Sequence, residues 1–95
     1  MQLFRTSEFD KRLRKMMDER ARARVNVAVQ RMEDGNFGDS RSVGGGVMEA
    51  RIHYGPGYRV YYTRHGGEIV ILLLCGDKTT QERDIKRAVA MAATL

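Results

Sequence analysis

Apolar residues change their spacing twice along this chain. Helical spacing rules the first third, period-two alternation and short apolar runs rule the stretch from about residue 47 to 75, and helical spacing returns after residue 80. Met1 to Thr6 reads as a short opening strand. Ser7 then caps a helix whose apolar positions Phe9, Leu13, Met16 and Met17 share a stripe. A second helix is predicted from about Asp18 to Asp34, with Val25, Ala28, Val29 and Met32 at i, i+3, i+4 and i+7, and it stops at Gly35. Arg20, Arg22 and Arg24 fall largely off that stripe, as residues of a solvated face do. Gly35 to Gly46, with five glycines and two serines, reads as a loop joining a helical half to a strand half.

Beyond it, Val47–Tyr54, Tyr58–Arg64 and Glu68–Cys75 are β-rich runs separated by the breakers Gly55-Pro56-Gly57 and His65-Gly66-Gly67. This spacing predicts an antiparallel meander, with Pro56-Gly57 at the central positions of a type II turn and Gly66-Gly67 as a second hairpin signal. Ile69 to Cys75 is apolar on both faces, which requires an interior strand covered on both sides. Gly76-Asp77-Lys78 ends it, and Thr79 or Thr80 caps a last helix with Ile85, Ala88, Val89 and Ala92 at core spacing. The predicted fold class is α+β: two N-terminal helices packed on a three- to four-stranded, mainly antiparallel sheet, with a C-terminal helix, in a single domain over residues 1–95.

Composition narrows the chemistry. A chain of 95 residues with 42% apolar content has one modest core, so a site must lie on an open face or in a shallow groove. One cysteine allows no internal disulfide, and His53, His65 and Cys75 have no zinc spacing; no metal and no cofactor is expected, and a reducing cytoplasm is. The longest apolar run has seven residues, far below the roughly 20 needed to span a bilayer, and no signal-peptide pattern opens the chain, so no membrane partner is expected. The net charge of +5 favours a polyanion such as RNA, or an acidic protein, as partner.

Strand alternation points to candidate chemistry. Met48, Ala50 and Ile52 face one way, and Val47, Glu49, Arg51 and His53 the other; Tyr58, Val60 and Tyr62 lie opposite Arg59, Tyr61 and Thr63. An odd connection would set Arg51 across from Arg59, whereas a strict two-residue turn would set it across from Tyr62. Mid-strand arginines are paired, solvated or ready for a ligand. A structural ion pair of Glu49 with Arg51 or Arg59 is one reading. The other adds Lys78, at the end of the interior strand, to make a cationic concavity for phosphate, with Tyr61 and Arg64 as further candidates for RNA contact.

The stretches "EARIHYGPGYRVYY" and "ILLLCGDKTTQERDIKRA", with the N-terminal "FRTSEFDKRLRKM", resemble the RelE/HigB group of bacterial addiction-module toxins over nearly the whole chain. The resemblance implies a compact α+β toxin of a toxin–antitoxin module that cleaves mRNA, commonly on the ribosome. It also implies a cognate antitoxin partner of the helix-turn-helix kind, in a toxin–antitoxin hetero-oligomer. By position, Arg51 corresponds to the basic residue on the scissile phosphate, Arg59 in "GYRVYY" to the most recognisable arginine, and Lys78 to the basic residue after the last strand. The chain departs from the pattern where several such enzymes carry a C-terminal tyrosine: Gln81, Glu82 and Asp84 stand there instead.

Such an enzyme needs no metal, because the RNA 2′-hydroxyl is the nucleophile and the protein only aligns it, stabilises charge and moves protons. Glu49 or His53 is expected to take the proton, and Lys78 or water to give one to the leaving oxygen. Two alternatives are a non-catalytic gyrase inhibitor like the ParE branch of the superfamily and an inactive antitoxin-binding homologue.

Overall fold

A computed structural model describes residues 1–95. The elements follow in the order β1 (Gln2–Arg5), α1 (Ser7–Lys15), α2 (Glu19–Glu33), β2 (Asp39–Gly44), β3 (Val47–Ile52), β4 (Tyr58–His65), β5 (Ile69–Asp77), a 3-10 turn (Lys78–Thr80) and α3 (Gln81–Ala92). They build the α+β fold, with a five-stranded mixed sheet in the order β1-β5-β4-β3-β2; β1 runs parallel to β5 and all other neighbours are antiparallel. β5 is interior, as its two apolar faces require, and the edges are β1 and β2. No helix is long and apolar enough to cross a membrane.

The fifth strand lies in the segment expected to be a loop. Asp39–Gly44 pairs with β3 through a tight turn at Gly45-Gly46, whose φ values of 61° and 77° suit a two-residue hairpin turn that only glycine adopts easily. Glycine at 45 also lets the hairpin lie against α3, since a β-carbon there would stand 2.7 Å from Val89 Cγ1. Pairing with β3 overrides the weak strand propensity of "DSRSVG".

Other boundaries shift for local reasons. Thr6, not Ser7, caps α1: its Oγ1 accepts from Phe9 N at 3.0 Å and donates to Leu73 O at 2.8 Å, fixing the helix start to β5. The helix ends at Lys15, so Met17 leaves the apolar stripe and is almost fully exposed. The β3–β4 turn closes from Gly57 N to Tyr54 O, which makes Gly55 and Pro56 its central residues instead of Pro56 and Gly57. Gly55 supplies the positive φ of 55°, and proline's fixed negative φ follows.

The sheet separates two apolar layers. On one face Phe9 and Leu13 of α1 and Val25, Val29 and Met32 of α2 pack against Ala50, Val60, Tyr62, Val70 and Leu72. On the other, Ala88 of α3 packs with Val47, Tyr61, Leu73 and Leu74. A bulge in β5 feeds both: Tyr61 pairs with Leu74 and Tyr62 with Leu72, so Leu73 is the inserted residue and joins Leu74 on the α3 side. The opposite end of the α3 face holds the charged residues.

Candidate functional site

Five residues, 53–57, connect β3 to β4, and this odd number sets Arg51 directly across from Arg59. Glu49 lies two positions before Arg51 on the same face, with Arg41 of β2 as its neighbour across the other ladder. Three arginines from three strands therefore surround one carboxylate. Glu49 has no exposed surface; its Oε1 accepts from Arg41 Nε at 3.0 Å and its Oε2 from Gln81 Nε2, the first residue of α3, at 3.0 Å. Arg59 Nε lies 3.7 Å and Arg51 Nε 3.9 Å from the same carboxylate.

Burial pushes the Glu49 carboxyl up, but hydrogen bonds from Gln81 and Arg41 outweigh it and hold the group below the usual glutamate range. Glu49 is thus an ionised carboxylate that gathers guanidinium groups. It neutralises only one of three, so the cluster keeps a cationic surplus. Arg59, whose side chain is 10% exposed, donates from Nη1 to Gly57 O at 3.3 Å, while its buried Nε has no hydrogen-bond partner. That nitrogen faces the Glu49 carboxylate at ion-pair distance, and the rest of the guanidinium lines the neighbouring groove.

That groove, of about 440 Å³, opens between the β3–β4 connection and the end of β5 and is lined by Arg51, His53, Arg59 and Lys78. Lys78 is exposed, and its backbone N donates to Gly57 O at 3.0 Å, tying the connection to the end of β5. The turn that presents Lys78 is itself capped: Asp77 accepts from Thr79 N at 2.9 Å, and Thr80 Oγ1 donates to buried Asp84 at 2.6 Å. His53, on the outer rim, has Nε2 2.7 Å from Asp39 Oδ2 of β2.

Residues 12–94 match the family described as Phage derived protein Gp49-like. Over 95 residues the chain is 46% identical to a protein of Haemophilus influenzae whose name is "Uncharacterized protein"; the match spans the whole chain and 96% of that relative. The chain belongs to the Gp49-like family. This is a RelE/toxin-like family, of the toxin–antitoxin type.

In this Gp49-like protein the sequence candidates divide into three groups. Glu49, Arg51, Arg59 and Lys78 meet on one side of the sheet, and His53 joins them at the groove's rim. Tyr61 shares their face but is wholly buried beneath α3; burial and the Glu49 charge both push its hydroxyl up, and it offers no ring surface to a base. Arg64 lies on the other face, its guanidinium 4.3 Å over the Phe37 ring. Sequence reasoning missed Arg41, hidden in the segment read as loop, although Gly45-Gly46 could have announced the hairpin that aligns it with Glu49. It also left Gln81 without a role beyond marking where a tyrosine is absent.

Proposed function

We propose that this protein is the toxin component of a toxin–antitoxin module and a metal-independent endoribonuclease that cleaves mRNA on the ribosome. The observation that carries the reading is the register pair Arg51–Arg59, both turned toward one buried carboxylate and into a groove shared with Lys78. Three cations at the groove exceed what Glu49 neutralises, and guanidinium forks match the two oxygens of a phosphodiester.

In the proposed reaction Arg59 and Arg51 hold the non-bridging oxygens of the scissile phosphate and stabilise the charge of the pentavalent transition state. Glu49 keeps both guanidinium groups aimed at the groove, and Gln81 and Arg41 keep Glu49 in place. Both Glu49 oxygens already accept hydrogen bonds and the carboxyl is held ionised, which suits an organiser better than a proton acceptor. His53, oriented by Asp39, takes the 2′-hydroxyl proton. The 2′-oxygen bonds to phosphorus, the P–O5′ bond breaks, and the leaving 5′-oxygen receives a proton from Lys78 or water. The products are a 2′,3′-cyclic phosphate and a 5′-hydroxyl.

The test is mapping of RNA ends after incubating the purified protein with mRNA, with and without translating ribosomes and in chelator. Cleavage with 5′-hydroxyl ends supports the reading. Intact RNA under all conditions, with growth arrest still occurring on expression, overturns it.

A further inference from the structure

Two arginines on the α2 face of the sheet sit over aromatic rings. The Arg24 guanidinium carbon stands 4.6 Å from the centroid of the Tyr54 ring, and Tyr54 stacks in turn with Tyr58. Arg64 repeats the arrangement: its guanidinium carbon is 4.3 Å from the centroid of Phe37, and Phe37 stacks with Tyr62. Both arginines are exposed, and neither makes an ion pair. We infer that the outward sides of Arg24 and Arg64 are stacking platforms for bases of the single-stranded RNA that flanks the cleavage site.

The two stacks lie along one continuous depression. Tyr54 and Tyr58 line the anion groove, whereas Arg24 and Phe37 line a cavity of about 630 Å³ between α2 and the β2–β3 hairpin. Arg51 and His53 line both, so the two spaces join there. A strand whose scissile phosphate rests on Arg51 and Arg59 has an open path past Arg24 to Phe37 and its covering Arg64. Arg20 and Arg31, also exposed and without ion pairs, lie along that path and with Arg24 span about 16 Å of α2, where they can neutralise flanking phosphates.

The chemistry of the guanidinium selects the ligand. The Phe37 and Tyr54 rings are already covered, so neither takes a base itself. A guanidinium above a ring keeps its other side free to stack on a base, while its N–H edge can donate to a phosphate or a base oxygen. A carboxylate would use only the edge, and lysine would serve it nearly as well. The ring beneath each arginine also restricts the side chain before RNA arrives, which lowers the ordering cost of binding. Because every base has a π-face, these platforms would hold the strand without choosing its sequence. The inference rests on the ribonuclease reading for the identity of its ligand, and the test separates the two.

The test measures binding of the full-length protein to two labelled strands by fluorescence anisotropy. One is a 2′-O-methylated oligouridylate of roughly 10 nucleotides, which lacks the nucleophile and stays intact; the other is an abasic backbone of the same length. Wild type should bind the oligouridylate about tenfold or more tightly than the abasic strand. Arg24→Lys and Arg64→Lys should each weaken the oligouridylate about tenfold and change the abasic strand little, because lysine keeps the charge and loses the plane. Lys86→Ala on α3 should change neither, and circular dichroism checks that each variant folds. Equal affinity of wild type for the two strands overturns the inference, as do lysine variants that bind the oligouridylate like wild type. A parallel loss of both strands in folded lysine variants would assign these arginines to charge alone and overturn it too. Cleavage of an unmodified strand is read separately: plane-dependent binding without cleavage sinks only the ribonuclease reading, and cleavage without plane-dependent binding sinks only this inference.

Discussion

Oδ2 of Asp84 stands 2.2 Å from the point a β-carbon on residue 76 would occupy, so Gly76 is where the end of β5 and the first turn of α3 meet without a side chain between them. Asp84 cannot easily yield. It is wholly buried, accepts from Thr80 Oγ1 at 2.6 Å and from Arg12 Nη1 of α1 at 3.1 Å, and so joins α1 to α3 past the edge of the sheet. Gly76→Ala should therefore cost about 1–3 kcal/mol, the usual range for overpacking a close contact. Urea unfolding should show a lower midpoint at unchanged m-value; an unchanged midpoint would mean that Asp84 moves freely.

Glu49 makes stability depend on acid. Its folded pKa is depressed relative to the unfolded value, about 4.3 for glutamate, by the hydrogen bonds that overcome its burial. The unfolded chain then binds the proton more readily than the folded one, so this contribution is present above the unfolded pKa and is lost as pH falls through the folded pKa. Glu49→Gln should be less stable than wild type near neutrality, and the gap should narrow below about pH 4. Chemical denaturation at a series of pH values measures this, and a constant gap would assign the acid limb to other carboxylates. Glu8, paired with Arg87 at the surface, is also lowered, but an exposed pair adds little.

Cys75 is packed against Phe9 on the interior strand, and burial pushes its thiol up to about 12. Only the thiolate reacts, and no reagent reaches it in the folded chain. An aromatic disulfide reagent should label the native protein slowly and the urea-unfolded protein at once, with the native rate rising as denaturant increases opening. Fast native labelling would contradict the packing of β5 between its helix layers.

Much of this fold is legible in the sequence because its signals are local. The 3.6-residue stripes of α2 and α3, that of α1 apart from Met17, the existence of turns near 55–57 and 66–67 and the two-faced β5 read correctly, and an odd β3–β4 connection was one of the two registers left open. What stayed hidden depends on distant pairing. β2 is a mostly polar edge strand whose only ladder partner is β3, and β1 joins the sheet parallel to a strand more than sixty residues away. The bulge at Leu73 is invisible in a run of leucines. For the site, the cations were legible as oddities in strands, but Arg41 and Gln81 came to Glu49 only through that unseen pairing and the approach of α3.

If Arg51, Arg59 and Lys78 hold the scissile phosphate, each alanine variant should lose toxicity while folding remains near wild type. Loss of one preorganised donor to developing charge costs about 2.7–4 kcal/mol, or roughly a hundredfold to a thousandfold in cleavage rate. Arg59→Lys should be impaired too, because lysine lacks the planar fork. Growth on expression, beside single-turnover cleavage of a defined mRNA, measures both. Toxicity surviving in all three variants, or appearing with intact RNA and blocked DNA replication, would replace the ribonuclease reading with a gyrase-type one.

The proton acceptor is separable from the charge stabilisers by comparing His53 with Glu49. His53 is exposed and its side chain hydrogen-bonds to Asp39, so His53→Ala should leave folding and RNA affinity intact while slowing cleavage by about 10²- to 10⁴-fold, the usual share of a general base. Asp39→Asn keeps the shape but weakens the orienting bond, and its loss should be smaller, on the order of tenfold. Glu49→Gln differs in kind: it leaves Arg51 and Arg59 without their common carboxylate, so RNA affinity and cleavage should change together. Binding to a substrate whose cleavage-site 2′-hydroxyl is replaced by hydrogen separates the two effects. Should His53→Ala cleave at the wild-type rate while Glu49→Gln binds RNA normally and does not cleave, the proton goes to Glu49, and the buried carboxylate is the base despite its two hydrogen-bonded oxygens.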